Sequence, residues 1–154
     1  MAKNKFTVKV EGLRELETAL KELPKATSRN VLSRTLRAAA QPIADRGESL
    51  APVGATGKLA DSYSVSIKLN KRQRKLNKKE SPVEIYVGPT QHAKSVQTEF
   101  GNAHQSAHPH LRPAWDAEMK PTLERIRVEL AQQIEKARQR LARKAAREAA
   151  KLRV

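Results

Sequence analysis

Residues 93–114 read AKSVQTEFGNAHQSAHPHLRPA, and this stretch decides how the rest of the chain is organised. Ala93, Val96 and Phe100 recur at i, i+3 and i+7, the spacing of one apolar face over about two helical turns. Gly101 follows, and glycine readily takes the left-handed conformation that ends a helix. The first half of the stretch therefore predicts a short helix that stops at Gly101.

Two prolines frame the second half of this stretch. Pro109 and Pro113 fix φ and bias the residues before them towards extended geometry. Leu111 is thereby held between two rigid corners. Pro113 also suits the first turn of a helix, where its missing N–H is not needed, so we expect a helix to begin with Ala114 and Trp115.

This next helix is predicted to be long. Its apolar positions are three or four residues apart, close to heptad spacing: Trp115, Met119, Leu123, Ile126, Leu130, Ile134, Ala137 and Leu141. Such a seam needs a partner face, and Pro121 interrupts it with either a kink or a restart of the helix. From Lys136 on, Ala, Arg and Lys dominate. We therefore predict a domain of residues 1–131 and a basic helical extension of residues 132–154 that orders fully against a partner.

The first part of the chain predicts a strand and two helices. Residues 6–10 alternate apolar and polar side chains, as in a half-buried strand. Leucines at helical spacing over residues 13–23 predict an amphipathic helix that Pro24 ends. A second helix is predicted from Thr27 or Ser28, either of which can cap its free N–H groups.

Two further strands are predicted near the middle of the chain. Residues 62–69 and 82–88 each alternate apolar and polar side chains. We expect them to form a small antiparallel sheet packed against the N-terminal helices. With the long basic C-terminal helix, this gives an α+β domain.

The segment between these strands is strongly basic. Residues 70–81 read NKRQRKLNKKES and carry six cations: Lys71, Arg72, Arg74, Lys75, Lys78 and Lys79. Charges of one sign at this density repel one another, so we predict a protruding hairpin arm or a mobile loop. This basic arm either contacts DNA or an acidic neighbour, or is simply solvated.

Composition limits the function. The chain has 31 Lys and Arg against 16 Asp and Glu, a net charge of +15, which favours an acidic partner, although solubility is a competing explanation. It has no cysteine, which excludes disulfides and fits a reducing cytoplasm. No apolar run is long enough to span a membrane and residues 1–10 do not resemble a signal peptide, so we expect no membrane contact and a protein that stays in the cell that makes it.

The sequence contains no constellation typical of catalysis or of a metal site. The spacing of His104, His108 and His110 is not a recognised zinc pattern, and no cysteine or nearby aspartate completes it. Glu99 and His104 lack a nucleophile or a second carboxylate to act with. We therefore expect neither an enzyme nor a cofactor. A structural assembly protein and a basic DNA-binding protein remain as competing classes.

One set of residues resembles a known family. The set is Glu99-Phe100-Gly101 followed by Leu111-Arg112-Pro113-Ala114, with Pro52, Thr56, Gly57 and Leu59 upstream. It is similar to the tail-component family of long-tailed, lambda-like bacteriophages, which are head-tail joining, neck or tail-completion proteins. The resemblance extends from about Val10 to about Ala131. Where family members usually carry an aromatic residue, this chain has His110, which predicts a more polar pocket.

The resemblance implies a structural virion protein that completes the tail and joins it to the head connector. It would act as a homo-oligomeric ring, a hexamer matching the symmetry of the tail. Its partners would be the head-connector and the tail-tube or terminator proteins, with genomic DNA passing through the lumen. The alternatives are the tail terminator ring and a nonspecific basic DNA-binding protein.

We expect Glu99, Phe100, Leu111, Arg112 and Trp115 to serve assembly. Packing within the chain is the competing role, which we expect more than interface contact for Phe100, Leu111 and Trp115, while Glu99 and Arg112 can simply pair. The basic arm and extension are expected mainly against neighbouring subunits or acidic partner rings, with occasional DNA contact. The reason is that each phosphate contact would resist the passage of DNA.

Overall fold

A computed structural model describes residues 12–54, 57–90 and 94–151. In chain order the elements are α1 (Leu13–Lys21), α2 (Lys25–Leu50), β1 (Tyr63–Ser66), α3 (Lys71–Leu76), β2 (Tyr86–Pro89), α4 (Ser95–Phe100) and α5 (Leu111–Lys151), with a short 3-10 helix at Ala60–Ser62. The predicted α+β class is confirmed. The strand predicted at residues 6–10 lies outside the described residues. Across the described ranges, no helix is long and apolar enough to cross a membrane.

The first helix follows the leucine pattern, and α2 begins earlier than predicted. It starts at Lys25, directly after Pro24, and no side chain caps it. The Ser28 N–H donates to the Pro24 carbonyl at 2.9 Å, so Thr27 and Ser28 lie inside the first turn and do not cap the helix. The connection between α1 and α2 is therefore short, and the buried side chain of Leu23 anchors it.

The largest helix contact is between α2 and α5, which run in opposite directions. The Thr122 hydroxyl lies 3.4 Å from the Ala39 carbonyl, and Arg46 lies 3.4 Å from the Glu118 carboxylate. Small residues on α2, among them Ala39, Ala40 and Ala44, are buried along this contact. The two helices therefore approach closely over much of the length of α2.

The apolar seam of α5 finds part of its partner face within the chain. Leu130, Ile134 and Ala137 form the core cluster with Leu23 and Val31. Leu141 packs on the edge of this cluster, whereas every described side chain after it is exposed. The packed part of α5 therefore extends past the predicted domain boundary at residue 131.

The start and continuity of α5 differ from the prediction. The helix begins at Leu111 and not at Ala114, so Pro113 is its third residue. It continues through Pro121 as one element, so the predicted restart there is wrong. Both prolines are exposed.

The sheet is antiparallel as predicted, but its strands are shorter. Val65 is opposite Val87 and Ser66 is opposite Tyr86, where the pairing ends. Beyond that point, one Glu84 carboxylate oxygen accepts the N–H groups of Glu80 and Ser81 at 2.7 and 3.0 Å. A side-chain turn thus replaces the expected ladder in front of β2.

The basic arm is neither a bare hairpin nor an irregular loop, because it contains α3. The Asn70 side chain accepts the Gln73 N–H at 2.8 Å, and the Gln73 side chain accepts the Asn70 N–H at 3.3 Å. This reciprocal capping satisfies the first turn of the helix. Arg74 and Lys75 lie in its last turn, where positive charge is favourable. Local capping therefore outweighs the repulsion on which the prediction rested.

Candidate assembly surface

The carboxylate of Glu99 caps the start of α5 from another helix. One oxygen accepts the N–H groups of His110 and Leu111 at 2.8 and 2.9 Å, and the other accepts the Arg112 N–H at 3.1 Å. The Arg112 guanidinium adds two bonds, from Nε to the carboxylate and from an Nη to the Glu99 carbonyl, both at 3.1 Å. The expected pairing of Glu99 with Arg112 is confirmed.

The electrostatics of Glu99 follow from this geometry. Glu99 is only 5% exposed, and burial alone would raise the pKa of its carboxyl group. The three backbone N–H groups and Arg112 outweigh that effect and hold the pKa at about 2. Glu99 is thus a buried carboxylate that stays ionised and fixes α4 to the N-terminus of α5, where negative charge is favourable.

His110 continues this network into the core. It is 1% exposed, its Nδ1 is hydrogen-bonded to the Tyr63 hydroxyl, and the two rings meet edge to face at 5.6 Å. Burial lowers the pKa of His110 although the Glu99 charge opposes this, and burial raises the pKa of Tyr63. Both side chains are therefore uncharged at neutral pH. The Nδ1 side of His110 thus faces polar groups, whereas its Nε2 is buried without a hydrogen-bond partner.

Tyr63 in turn packs on α2 at Gly47. A Cβ on Gly47 would overlap the edge of the Tyr63 ring, so this helix position needs glycine for a close approach. Tyr63, Glu99, His110 and Arg112, which we call the Glu99 network, connect α2, β1, α4 and α5. The network holds the short helix α4 in place.

The orientation of α4 is the reverse of an ordinary amphipathic helix. Its buried residues are Thr98 and Glu99, whereas Val96 is 65% exposed and Phe100 is 63% exposed. We expected Phe100 to pack within the chain more than to form an interface; the structure limits that packing to partial contacts such as the one with Arg112, and the interface role stays a prediction. Ala93, the third member of the predicted apolar face, lies outside the described residues.

The exposed apolar side chains of α4 continue onto α5 through Arg112. The Arg112 guanidinium stacks over the Phe100 ring, 4.7 Å from its centre. Trp115 is three residues further along α5, hence beside Arg112 on the helix surface, and is 50% exposed. Intramolecular packing was also expected of Trp115, and half of this residue remains exposed. We call Val96, Phe100, Arg112 and Trp115 the assembly surface.

A pocket of about 180 Å³ opens beside this surface, between β2 and α4. Leu111, which is half-buried, lines it together with Val87, Pro89, Val96 and Phe100. Leu111 therefore packs within the chain and borders the assembly surface at the same time. In protein interfaces, pockets of this kind receive buried apolar anchors, which carry much of the binding energy.

Gly101 ends α4 as predicted, although in a different conformation. Its φ is 75° and its ψ is 176°, so it has the positive φ that favours glycine without being left-handed helical. A Cβ at this position would lie 2.9 Å from the Ala107 backbone nitrogen. The His108 N–H then donates to the Thr98 carbonyl at 2.8 Å and closes the loop onto α4. The loop thereby brings the His110 N–H within hydrogen-bond distance of the Glu99 carboxylate.

The remaining predicted residues lie elsewhere. Within residues 12–54, 57–90 and 94–151, no group of three His, Cys, Asp or Glu side chains is arranged to hold a metal ion. His104 and His108 are exposed, and His92 lies outside the described residues. All six cations of the basic arm are exposed.

Sequence reasoning missed the cap that Glu99 supplies. A signal was present, because no Ser, Thr, Asp or Asn stands directly before α5 to satisfy its free N–H groups. A long helix without a local cap needs an acceptor from elsewhere in the chain. Glu99 is the nearest preceding carboxylate in the sequence.

Comparison with known proteins identifies the family. The model of the family described as "Bacteriophage HK97-gp10, putative tail-component" matches residues 14–101, more than half of the chain. The chain belongs to this tail-component family. No curated protein and no solved structure gives a significant match.

The tail-component match covers the elements from α1 to α4 and ends at Gly101. It includes Glu99 and Phe100, while Arg112 and Trp115 lie beyond it. The Glu99 network therefore joins the part of this tail component that matches the family to the long helix that follows it.

Proposed function

We propose that this chain is a structural virion protein that completes the phage tail and joins it to the head connector. It would do so as a homo-oligomeric ring, a hexamer, around the channel through which the genomic DNA passes. Its protein partners would be the head connector and the tail-tube or terminator proteins. Assembly would take place in the host cytoplasm and leave the protein in the neck of the virion.

The observation that carries the proposal is the assembly surface on a tail component. Val96, Phe100 and Trp115 place apolar area in solvent, which is typical of a face that another protein covers. Aromatic side chains and arginine are enriched in protein interfaces, and Phe100, Arg112 and Trp115 fit that composition. The role is therefore proposed to be non-catalytic.

The Glu99 network supports this role because it holds the surface rigid. A short helix such as α4 is not stable by itself. The ionised Glu99 and the buried His110 hold it against α5, so Phe100 loses little conformational freedom on binding. A surface that is ordered before contact binds more tightly than one that must order on contact.

The proposed ring would be built from heterologous contacts. The assembly surface on one copy would meet a different surface on the next, and heterologous contacts that close generate cyclic rings. Exposed apolar side chains at the end of α2 and in the loop after it, Leu50 and Val53, are available for the opposite side. Leu50 is 45% exposed and Val53 is 81% exposed.

The experiment is to stop translation of this gene in its phage and to examine the lysate by electron microscopy. Filled heads that accumulate apart from tails of normal length are the expected result. Overlong tails would instead assign the chain to the tail terminator ring. Intact and infectious virions would contradict both roles and favour the nonspecific DNA-binding alternative.

A further inference from the structure

The basic arm is a dense run of cations that no salt bridge in the described chain neutralises. Lys71, Arg72, Arg74, Lys75, Lys78 and Lys79 are all exposed, and no salt bridge found in the described ranges involves any of them. The middle of α5 differs, since Arg125, Arg127 and Arg138 are paired with Glu118, Glu124 and Glu22. The arm therefore presents six uncompensated cations.

The arm has a defined shape at both of its ends. Asn70 and Gln73 cap α3 reciprocally, as described above. At the other end, Asn77 donates to the Tyr86 hydroxyl at 3.0 Å, and that hydroxyl donates to Glu84 at 2.5 Å. The same Glu84 accepts backbone N–H groups of the arm. The cations are thus fixed to the sheet and not spread over a free coil.

A second copy of this chain brings more positive than negative charge to the arm. Each copy carries a net charge of +15, so every added copy increases the excess of positive charge. Six carboxylates are already paired with cations of their own chain: Glu17, Glu22, Glu99, Glu118, Glu124 and Glu148. An external polyanion would balance this excess better than further copies of the chain.

The composition of the arm favours nucleic acid over an acidic protein. Protein interfaces are poor in lysine and contain an apolar centre, whereas the arm has four lysines and a single apolar side chain, Leu76. Phosphate neutralisation needs only charge, and the arm offers no aromatic side chain for base stacking. Contacts of this kind position a protein on DNA without reading its sequence.

We propose that α3 and the two lysines that follow it bind the phosphate backbone of duplex DNA. This contact rests on the proposed function, in which DNA passes through the ring. The contact does not prevent passage, because nonspecific electrostatic binding lets proteins slide along DNA. This differs from our expectation that gripping phosphates would confine the arm mainly to protein partners.

The test is the salt dependence of binding to a random-sequence DNA duplex, measured by fluorescence anisotropy on the full chain. The arm variant replaces Lys71, Arg72, Arg74 and Lys75 with Gln. The matched control replaces Arg143, Lys144, Arg147 and Lys151 with Gln, which removes two lysines and two arginines from the exposed end of α5. Gln is a good helix former, so both variants keep their helices, which circular dichroism checks.

The arm variant is expected to lower the slope of log affinity against log salt by about 3 to 4, because each phosphate contact contributes about 0.9. Between about 50 and 200 mM salt, the wild type then loses roughly a hundredfold more affinity than the arm variant. The control is expected to change the slope by less than about 1. Equal changes in both variants would show an effect of net charge alone and would overturn the proposal.

Two further outcomes separate this proposal from the proposed function. An arm variant that keeps the wild-type slope but fails to join heads to tails would assign the arm to an acidic protein and overturn the DNA contact. Loss of DNA binding in the arm variant would support the contact even if stopping translation of the gene left virions intact. In that case only the role in joining would fail.

Discussion

Glu99 links two elements that the chain separates by a ten-residue loop between α4 and α5. Its carboxylate accepts three backbone N–H groups at the start of α5 and is paired with Arg112, which in turn stacks on Phe100. One buried charge therefore caps the longest helix in the described residues and also positions the aromatic side chain of the assembly surface. Removing that charge should therefore weaken the cap of α5 and also release the Phe100 side chain from its position.

Glu99→Gln is expected to lower the free energy of unfolding by about 1–3 kcal/mol, since a buried bond network to an ionised group is weakened. Urea denaturation measures this change. Glu124→Gln is the control, because its side chain is 56% exposed and its pair with Arg127 is a surface pair of small effect. Equal stability losses in the two variants would contradict the structural role of Glu99.

Acid should destabilise the wild type more than the Glu99→Gln variant. The pKa of Glu99 is about 2 in the folded chain and has the ordinary value of 4.5 when unfolded. Its stabilising contribution is therefore present above about pH 4.5 and is lost as the pH falls towards 2. The free energies of unfolding of the two proteins should therefore converge as the pH is lowered from about 5 to 3. A difference in unfolding free energy that stays constant over this pH range would show that the carboxylate is not held in its ionised form.

Gly47 makes a second prediction at the residue scale. Alanine normally stabilises a helix by about 1 kcal/mol over glycine, but here its Cβ would overlap the Tyr63 ring, which His110 holds in place. Overpacking of this kind costs about 1–3 kcal/mol, so Gly47→Ala should lower the melting temperature. Gly54→Ala is the control, because nothing lies within 4 Å of its Cβ position. A stabilised Gly47→Ala variant would mean that Tyr63 moves freely.

At the scale of elements, α5 divides into a packed part and an exposed part. Leu130, Ile134 and Ala137 are in the core, and Leu141 packs on its edge. Residues 142–151 add about 15 Å of helix with exposed side chains only. The last part of α5 therefore contributes little to the stability of a single chain.

Truncation tests this division. A stop codon in place of Ala142 should shift the melting temperature by less than about 2 °C, because no core residue is removed. A stop codon in place of Ile134 also removes Ala137 and Leu141 and should abolish cooperative unfolding. A large loss of stability on truncation at Ala142 would show that the exposed end packs on the chain.

The elements that could be predicted from the sequence are those whose apolar pattern is long. Leucine spacing located α1, the near-heptad apolar seam located most of α5, and alternation located the pairing of Val65 with Val87. The pattern also located α4 but indicated the wrong buried face, because the cap that Glu99 provides and not the apolar side chains decides which face is buried. It also failed for α3, where two local capping bonds form a helix within a dense charge run.

The predicted site residues show the same division. The pairing of Glu99 with Arg112 could be expected from their charges, and it is confirmed. The exposure of Phe100 and Trp115 could not, because an apolar side chain at helical spacing usually faces a core. Only the three-dimensional placement of Glu99 turns that face outward.

At the scale of the whole molecule, the two exposed features differ in chemistry. The assembly surface is apolar with a single stacked arginine, whereas the basic arm is charged and lacks a counter-ion in the described chain. We propose that the first contacts protein and the second contacts DNA. Excess positive charge that repels copies from one another would then be compensated by the DNA in the channel.

The most direct measurement is electron microscopy of lysates from phage carrying Phe100→Ser and Trp115→Ser together. Both side chains are at least half exposed, so the variant should fold, and Val128→Ser on α5 is the matched control at 45% exposure. The account predicts filled heads and separate tails of normal length for the double variant, and wild-type virions for the control. Wild-type yields of infectious virions from a folded double variant would contradict the assembly surface.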